Sequence, residues 1–377
     1  MRFPMSNENI AGHSLVDATD DEGDISNLSK KGYQLLKENK LDEAIDCFSK
    51  ILSVNENNNY ALVGLGDAAR KQNAFRNAVQ YYQRCLANHP GNNYALFGLA
   101  DCYKALNQFH SAIEIWEKYL VHDEKNITVL TRVADAYRKV RNYEDSKAVY
   151  HRVLKMESKN PYAIIGLGHL HYDFKEYTEA LYYWGLMFEL NRENVDIRVL
   201  TSIGNCHRKL KSFSQGIDYF EMALKRENNN FYALFGLADC YRGLNKQSIS
   251  LEYWNRILSL DPRNKVILTR AGDAYRTLNQ LDKAVEYYQK ALNIEFDIYT
   301  ILGLAVVAKI QGNYDTAIES LKRLSQQDSK NHRIYLELAD CLDKKGEKEA
   351  AIEVLEEYQS RCGKNPSVSE MLDKLKK

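Results

Sequence analysis

The sequence repeats itself with a period of 34 residues, and this period limits the folds that the chain can adopt. Near copies of one heptapeptide begin at Tyr60 (YALVGLG), Tyr94 (YALFGLA), Tyr162 (YAIIGLG) and Tyr232 (YALFGLA). Apart from a two-residue insertion near Val195 and a one-residue deletion before Ile298, ten repeats follow the period, beginning at Ile25, Asn59, Asn93, Ile127, Pro161, Ile197, Phe231, Lys265, Ile298 and His332. A unit this short cannot bury its apolar face alone, so the repeats must stack on their neighbours.

Small and aromatic residues at fixed positions predict two closely packed helices in each repeat. Positions 8 and 20 hold only Gly, Ala or Ser in all ten repeats. Position 24 is aromatic in the first eight repeats: Phe48, Tyr82, Trp116, Tyr150, Trp184, Phe220, Trp254 and Tyr288. A small residue lets two helices approach, and a large ring fills the space beside it. The pattern predicts an all-α protein.

Predicted helix caps agree with this division. Each repeat ends on Asn or Asp, namely Asn58, Asn92, Asn126, Asn160, Asn194, Asn230, Asn264, Asp297, Asn331 and Asn365. The side chains of these residues accept hydrogen bonds from the free N–H groups at a helix start. Within the insertion, Asp196 can replace Asn194 as the cap. Pro161 and Pro366 directly follow a capping Asn, where proline is favoured.

These features resemble the tetratricopeptide repeat (TPR) family over residues 25–365, although the proline that usually ends a repeat is present only at Pro90 and Pro262. The resemblance implies a right-handed α–α superhelix (a solenoid) of ten TPR repeats. Residues 366–377 form a short amphipathic segment, predicted to be a C-terminal capping helix. Residues 1–24 are acidic and lack periodicity, and are predicted to be a disordered arm.

Composition excludes several functions. Lys plus Arg and Asp plus Glu number 51 each, which gives no electrostatic attraction to nucleic acid or an anionic membrane. The seven cysteines include no Cys-x-x-Cys pair, which argues against disulfides and zinc and favours a reducing compartment, the cytoplasm. No apolar stretch is long enough to insert into a membrane. With no catalytic or cofactor motif, and no unrepeated segment the size of a catalytic domain, we expect no enzyme activity and no cofactor or metal.

The resemblance also implies that the first helix of each repeat lines a concave groove through positions 2, 5, 6, 9 and 12, here called the groove positions. Position 2 is Tyr in five repeats: Tyr60, Tyr94, Tyr162, Tyr232 and Tyr299. Position 9 is mostly Asp and position 12 mostly Arg or Lys, three residues apart, so each Asp can reach its own basic partner. Two interpretations stay open: a ladder of solvated ion pairs, or a polar spine that holds a peptide main chain while the tyrosines contact its side chains.

Two groove segments are almost identical. Phe97 to Tyr103 recurs as Phe235 to Tyr241, and Arg132 with its neighbours recurs around Arg270. Elsewhere position 6 is often Gly, which we expect to leave the groove floor open. One Asp between two Arg leaves one guanidinium for an outside carboxylate. We therefore predict two anion-binding sub-sites, Phe97/Asp101/Arg132/Arg138 and Phe235/Asp239/Arg270/Arg276; the alternative is a tandem duplication that has diverged little.

The predicted function is a non-catalytic protein–protein interaction scaffold or adaptor. Its expected partner is a protein or peptide with acidic or carboxylate groups, and the alternative is a helical repeat protein that binds a small ligand or nucleic acid. The oligomeric state is left open. The predicted groove residues are Tyr60, Tyr94, Phe97, Asp101, Arg132, Asp135, Arg138, Tyr162, Tyr232, Phe235, Asp239, Arg242, Arg270, Asp273 and Arg276.

Overall fold

A computed structural model describes residues 20–377, with side chains from residue 24 onward. This part of the chain is all-α, as predicted, and contains no strand. The helices are α1 (Asp20–Lys37), α2 (Leu41–Val54), α3 (Asn59–Lys71), α4 (Phe75–Asn88), α5 (Asn93–Ala105), α6 (Phe109–His122), α7 (Ile127–Lys139), α8 (Tyr143–Met156), α9 (Pro161–Asp173), α10 (Tyr177–Leu190), α11 (Ile197–Lys209), α12 (Phe213–Arg226), α13 (Phe231–Gly243), α14 (Gln247–Leu260), α15 (Lys265–Thr277), α16 (Leu281–Leu292), α17 (Ile298–Ile310), α18 (Tyr314–Gln327), α19 (His332–Lys345), α20 (Lys348–Cys362) and α21 (Pro366–Lys376).

The helices form two compact units. Unit 1 ends at Phe174 and contains α1 to α9; unit 2 begins at Lys175 and contains α10 to α21. Within each unit a helix packs on the next one along the chain, and the first helices of adjacent repeats also touch, as α1 does with α3 and α15 with α17. Because contacts join only neighbours, stability is expected to be nearly additive along each stack.

Helix starts follow the predicted repeats closely. Nine of the ten first helices begin at the residue predicted to start the repeat, from Asn59 to His332. The first begins earlier, at Asp20, so residues 20–24 belong to a helix and not to the predicted arm. Polar residues carry no apolar period to reveal a helix, but no proline interrupts this segment, and the helix that packs through Ile25 and Leu28 extends backward through it. The rest of the predicted arm lies outside the described residues.

Asparagine and aspartate caps fix these starts. Asn58 Oδ1 accepts a hydrogen bond from the backbone N–H of Ala61 at 3.0 Å. The same type of bond starts every first helix from α3 to α19 and also α21. In the insertion, Asp196 caps α11 through the N–H of Arg198 at 2.8 Å, as predicted. Each such cap contributes about 1 kcal/mol, typically.

The second helix of each repeat follows a left-handed turn. Residue 15 of every repeat has a positive φ, with the residues being Asn39, Asn73, Asn107, Arg141, Lys175, Lys211, Asn245, Asn279, Gly312 and Gly346. Asn and Gly tolerate this region, whereas other residues are strained in it. The turn reverses the chain so that the second helix packs back on the first.

The small and aromatic positions form the core. Ala78 and Ala112 at position 20 are fully buried, as are Tyr82 and Trp116 at position 24. The same holds along both units, where the position-24 aromatic rings are at most 2% exposed. The last repeat is covered by α21, whose Val368 and Leu372 are buried in the same cluster as Leu355. An end repeat needs such a cover because it has no further neighbour.

Candidate functional site

The position-2 tyrosines stand out on the surface. Tyr60, Tyr94, Tyr162, Tyr232 and Tyr299 are between 52% and 70% exposed. Each is the second residue of a first helix, directly after the capped start. The chain buries its position-24 rings almost completely, so these exposed rings are not needed by the core of the repeat. Three lie in unit 1 and two in unit 2.

In unit 1, ion pairs at positions 9 and 12 link successive repeats. Arg70 binds Asp67 of its own helix at 3.0 Å and Asp101 of the next first helix at 3.2 Å. Arg138 binds Asp135 of its own helix at 2.7 Å and also Asp173. Each arginine therefore bridges two repeats.

Lys104 makes the equivalent forward contact, with its Nζ 3.4 Å from Asp135. Burial alone raises the pKa of Asp135, but the charge and hydrogen bond of Arg138, together with Lys104, outweigh burial and hold this pKa below its usual value. Asp135 is therefore bound as a carboxylate between two cations of its own chain.

Unit 2 repeats the ladder. Arg208 donates to Asn205 of its own helix at 3.1 Å and pairs with Asp239 of the next at 2.7 Å. Arg242 binds Asp239 from the same helix at 2.9 Å. Further along, Lys309 pairs with Asp340 at 2.5 Å. The charges at positions 9 and 12 are thus largely satisfied within the protein, which favours the ladder interpretation for these residues.

Two buried rings support the ladder from the core side. The hydroxyl of Tyr82 donates to Asp67 Oδ1 at 2.7 Å, and that of Tyr288 donates to Asp273 Oδ1 at 2.8 Å. Burial, and then the negative charge of Asp273, raises the pKa of Tyr288, so the phenol stays a donor. Arg276 also binds Asp273, at 3.3 Å. The ladder and the core therefore form one connected structure.

The first predicted sub-site is internally neutralised. Arg132 pairs with Asp101 of the preceding repeat, and its guanidinium lies 4.6 Å above the centre of the Phe97 ring. Arg138 binds Asp135 and Asp173 instead. The prediction that one guanidinium is left over is therefore wrong for Arg132, because the preceding repeat supplies a carboxylate that the local sequence spacing does not reveal.

The second predicted sub-site has different contacts despite its matching sequence. Arg270 has no ion pair, hydrogen bond or ring contact with any residue from 24 to 377. Phe235 packs edge-on against Trp254, with ring centres 5.2 Å apart, and has no cation above it. Asp239 is paired with Arg208 and Arg242. Arg270 is therefore a partly buried cation without an internal partner.

Arg270 opens into a pocket of about 350 Å³ formed by α15, α17 and α19 of unit 2. Its wall includes Lys265, Val266, Tyr299 and Arg333, none of which belongs to the predicted groove set. Val266 and Tyr299 are both at position 2 of their repeats, and Tyr299 is one of the five position-2 tyrosines that the sequence analysis singled out. Arg333 is also at position 2, in the repeat two further along, but it was not singled out because the tyrosines at this position drew the prediction. A more open depression of about 560 Å³ lies in unit 1, beside Tyr137 and Tyr143.

Position-6 glycines do not leave an open floor. A Cβ atom on Gly98 would stand 2.4 Å from Cζ of Tyr82 in the preceding repeat. The same approach, at 2.2 to 2.5 Å, occurs at every position-6 glycine, namely Gly64, Gly98, Gly166, Gly236 and Gly303. The expectation of an open floor is wrong, because the ring at position 24 of one repeat fills the space above position 6 of the next.

Residues 24–377 give little support for a metal site, a membrane-spanning helix or a disulfide. No cluster of three or more His, Cys, Asp or Glu side chains is placed to hold a metal ion there. Across the described helices, none has the length and apolar content required to span a bilayer. The seven cysteines are unpaired, and all except Cys362 are buried.

Comparison with known proteins agrees with the repeat structure. Three family models, each described as Tetratricopeptide repeat, match residues 69–129 and 308–375, residues 30–93 and 132–189, and residues 267–298. No curated protein matches the sequence significantly. Yeast Tom70 is a similar solved structure, with 15% identity, a TM-score of 0.43, and coverage of 95% of this chain and 96% of Tom70.

Two shorter solved structures are also similar. YrrB, described as a TPR protein with an unusual peptide-binding site, is 19% identical with a TM-score of 0.42, over 49% of this chain and 95% of YrrB. PilW, a type IV pilus biogenesis factor, is 17% identical with a TM-score of 0.49, over 55% of this chain and 96% of PilW. The family models together match more than half of the sequence, and the repeats that they match are the helix pairs of the structure. The chain belongs to the tetratricopeptide repeat family.

Proposed function

We propose that this protein is a non-catalytic scaffold that binds a partner polypeptide at the groove positions of its first helices. The observation that carries the proposal is the exposure of the five position-2 tyrosines, from 52% to 70%, beside a ladder of paired charges. Tyrosine offers a large amphipathic surface at a low cost in side-chain entropy, and it is enriched where partners bind tightly.

The paired charges have a different role in this proposal. Positions 2 and 9 are two turns apart on the same helix, so the ion pair Arg70–Asp101 ties the helix that carries Tyr94 to the preceding first helix. Rigid placement lowers the entropy lost on binding. Asp101, Asp135, Arg138 and their unit 2 counterparts are thus positioning residues, while the tyrosines make the contacts.

The partner is expected to carry acidic groups, because Arg270 and Arg333, both at groove positions, have no ion pair among residues 24–377. Nucleic acid is a weaker candidate, since the net charge is zero and most basic groove residues are already paired with carboxylates. We place the protein in the cytoplasm, where thiols such as the six buried cysteines stay reduced.

Affinity capture of the full chain tests the proposal. The variants are Tyr60→Ala with Tyr94→Ala in unit 1 and Tyr232→Ala with Tyr299→Ala in unit 2. Tyr182→Ala is the matched control, because Tyr182 is 61% exposed but lies on a second helix, α10. Circular dichroism verifies that each variant keeps its helix content, and nuclease treatment separates protein partners from nucleic acid.

We expect the wild type and Tyr182→Ala to capture the same proteins, and at least one groove variant to lose them by about tenfold or more, since an aromatic hot spot contributes 2 kcal/mol or more. Equal capture by all variants would move the interaction to another surface. Capture that disappears after nuclease treatment would favour the nucleic-acid alternative.

A further inference from the structure

The second helix α10 is apolar on its solvent side as well as on its packed side. Ala180 and Trp184, on the packed side, are at most 2% exposed. On the opposite side, Tyr182 is 61% exposed and Leu186 is 38% exposed. A helix that is apolar on both sides is normally covered on both. The composition of α10 therefore indicates a further contact on its solvent side.

Other second helices carry charges where α10 carries these apolar residues. Tyr182 and Leu186 occupy positions 22 and 26 of the repeat that begins at Pro161, and each of the other nine repeats has at least one charged residue at these two positions. Opposite charges pair across them in Asp46–Lys50, Glu286–Lys290 and Glu319–Arg323. Ion pairs of this spacing are typical of a solvated helix surface. The uncharged surface is thus particular to α10 and not a property of the repeat.

Gly185 lies on the same side of α10. A Cβ atom added to Gly185 would have nothing within 4 Å, whereas at each other glycine within the helices from residue 24 onward it would meet another atom. Glycine is less favourable than alanine inside a helix, so its presence requires another reason. The absence of a side chain lets a second helix approach the backbone closely.

A second copy of α10 in the antiparallel direction fits this surface, here called the α10 outer surface and defined as Tyr182, Gly185, Leu186 and Glu189. Pairing about the midpoint between Gly185 and Leu186 sets each Leu186 against Gly185 of the second copy. It also sets Tyr182 against Glu189 of the second copy, whose carboxylate can accept from the phenol. The spacing of the four residues is the same in both directions, as a two-fold contact requires.

The same pairing is complementary in charge. Glu179 lies one turn before the α10 outer surface and Arg192 lies just after it, so each Glu179 faces Arg192 of the second copy. Arg192 is 69% exposed and pairs with Glu189 of its own chain at 3.0 Å, which leaves room for a second carboxylate. Antiparallel helices also place opposite ends of their dipoles side by side.

A lipid surface suits α10 less well than a second copy does. Helices that lie on membranes carry Lys and Arg on their polar side. The α10 outer surface is bordered instead by the carboxylates of Glu179 and Glu189.

We infer that the protein self-associates through the α10 outer surface as an antiparallel, two-fold dimer. A contact made by one helix of 14 residues from each chain belongs to the class of interfaces under about 1,200 Å², which are weak. The dimer is therefore expected to form only at high protein concentration and to be dissociated in dilute unfolding experiments. The inference goes beyond the proposed function, because α10 is a second helix and carries none of the groove positions.

Sedimentation equilibrium of the full chain over a range of concentrations tests the inference. We expect the wild type to pass from monomer to dimer. Tyr182→Glu/Leu186→Lys gives α10 the type of ion pair that Glu286 and Lys290 form, so it should keep its helix content and raise the dimer dissociation constant by about tenfold or more. The matched control Glu319→Lys/Arg323→Glu reverses an ion pair on α18 and should dimerise like the wild type.

Two single variants test the antiparallel register. Glu179→Lys and Arg192→Glu each place like charges opposite one another, and each should weaken the dimer on its own. An equimolar mixture of the two variants should dimerise better than either alone. In the mixed dimer, the new lysine faces the new glutamate, and the native Arg192 faces the native Glu179.

Three results would overturn the inference: a wild type that stays monomeric at the highest concentration, wild-type self-association of Tyr182→Glu/Leu186→Lys, or a mixture that dimerises no better than its components. None of them bears on the capture of other proteins by the position-2 tyrosines. Tyr182→Ala separates the two surfaces, because it should weaken the dimer and leave that capture unchanged.

Discussion

The ring of Tyr82 lies directly over Gly98 of the next repeat, where a Cβ atom would stand 2.4 Å from Cζ. Where position 24 is Phe or Tyr, position 6 of the next repeat is Gly. Where position 24 is Trp or Leu, position 6 of the next repeat is a residue other than Gly. Arg132, Ser202 and Arg270 follow Trp116, Trp184 and Trp254, and Glu337 follows Leu321. The position-24 residue of one repeat therefore controls whether the next repeat can carry a side chain at position 6. Trp116 and Trp254 leave room for Arg132 and Arg270.

This contact predicts that Gly98→Ala is destabilising. The new methyl group must displace the Tyr82 ring, which is fully buried, and such overpacking costs about 1–3 kcal/mol. Chemical denaturation followed by circular dichroism measures the change. The matched control is Gly185→Ala in the middle of α10, where nothing lies within 4 Å of an added Cβ and where helix propensity should raise stability by about 1 kcal/mol.

The double variant Tyr82→Leu/Gly98→Ala tests the cause. Leu321 occupies position 24 of its repeat, and position 6 of the next repeat is Glu337, which has a side chain. If the ring is responsible, the cost of Gly98→Ala should be smaller in the Tyr82→Leu background than in the wild type. An unchanged cost in both backgrounds would mean that Gly98 is required for another reason.

The left-handed turns give a second prediction, a gain of stability in Lys211→Asn. Lys211 has a φ of +62°, a region that costs an ordinary L-residue about 1–2 kcal/mol, and its side chain is exposed. Asn occupies the same position in five other repeats and tolerates this backbone. We expect the thermal midpoint to rise. Lys209→Asn, two residues earlier in α11, replaces an exposed lysine in helical backbone and should not raise it.

Sequence predicted the fold to within single residues because its signals are local. A capping Asn such as Asn58 acts on the N–H three residues ahead, and a small residue such as Ala78 marks a close contact wherever it recurs. These signals are repeated, so the starts of nine first helices could be predicted. The start at Asp20 could not, because the polar residues before Ile25 have no apolar period.

Contacts between repeats were harder to predict. Glycine at position 6 signals a need for space, but the sequence does not say that the ring filling it comes from the previous repeat, as Tyr82 does at Gly98. Whether Arg132 or Arg270 forms an ion pair depends on which of several nearby cations binds the shared carboxylate. In the structure Asp101 pairs with Arg70 and Arg132, whereas Asp239 pairs with Arg208 and Arg242.

Thiol reactivity gives a third prediction. Cys362 is exposed, whereas burial raises the pKa of Cys102, Cys206 and Cys240 to about 12. The thiolate is the reactive form, so a thiol that is both buried and protonated reacts slowly. A disulfide reagent at pH 8 should modify one thiol per native chain and seven after denaturation. Cys362→Ser should abolish the fast reaction, and fast reaction of a second thiol in the native protein would contradict the packing at the helix seams.

The ion-pair ladder predicts how stability responds to acid. Although burial opposes ionisation, Arg138 and Lys104 hold the pKa of Asp135 below its usual value, so the folded state binds a proton to this carboxylate less readily than the unfolded chain does. The stabilisation is fully present above the unfolded pKa of about 3.9 and is lost as pH falls from there through the lower folded pKa. Asp135→Asn should therefore be less stable than the wild type at pH 7, and the difference should shrink below about pH 4. Urea unfolding from pH 7 to pH 2.5 measures both curves.

Asp373→Asn, which removes an exposed carboxylate from α21, is the control and should run parallel to the wild type. A constant difference between Asp135→Asn and the wild type over this pH range would mean that the carboxylate of Asp135 is not stabilised by its neighbours.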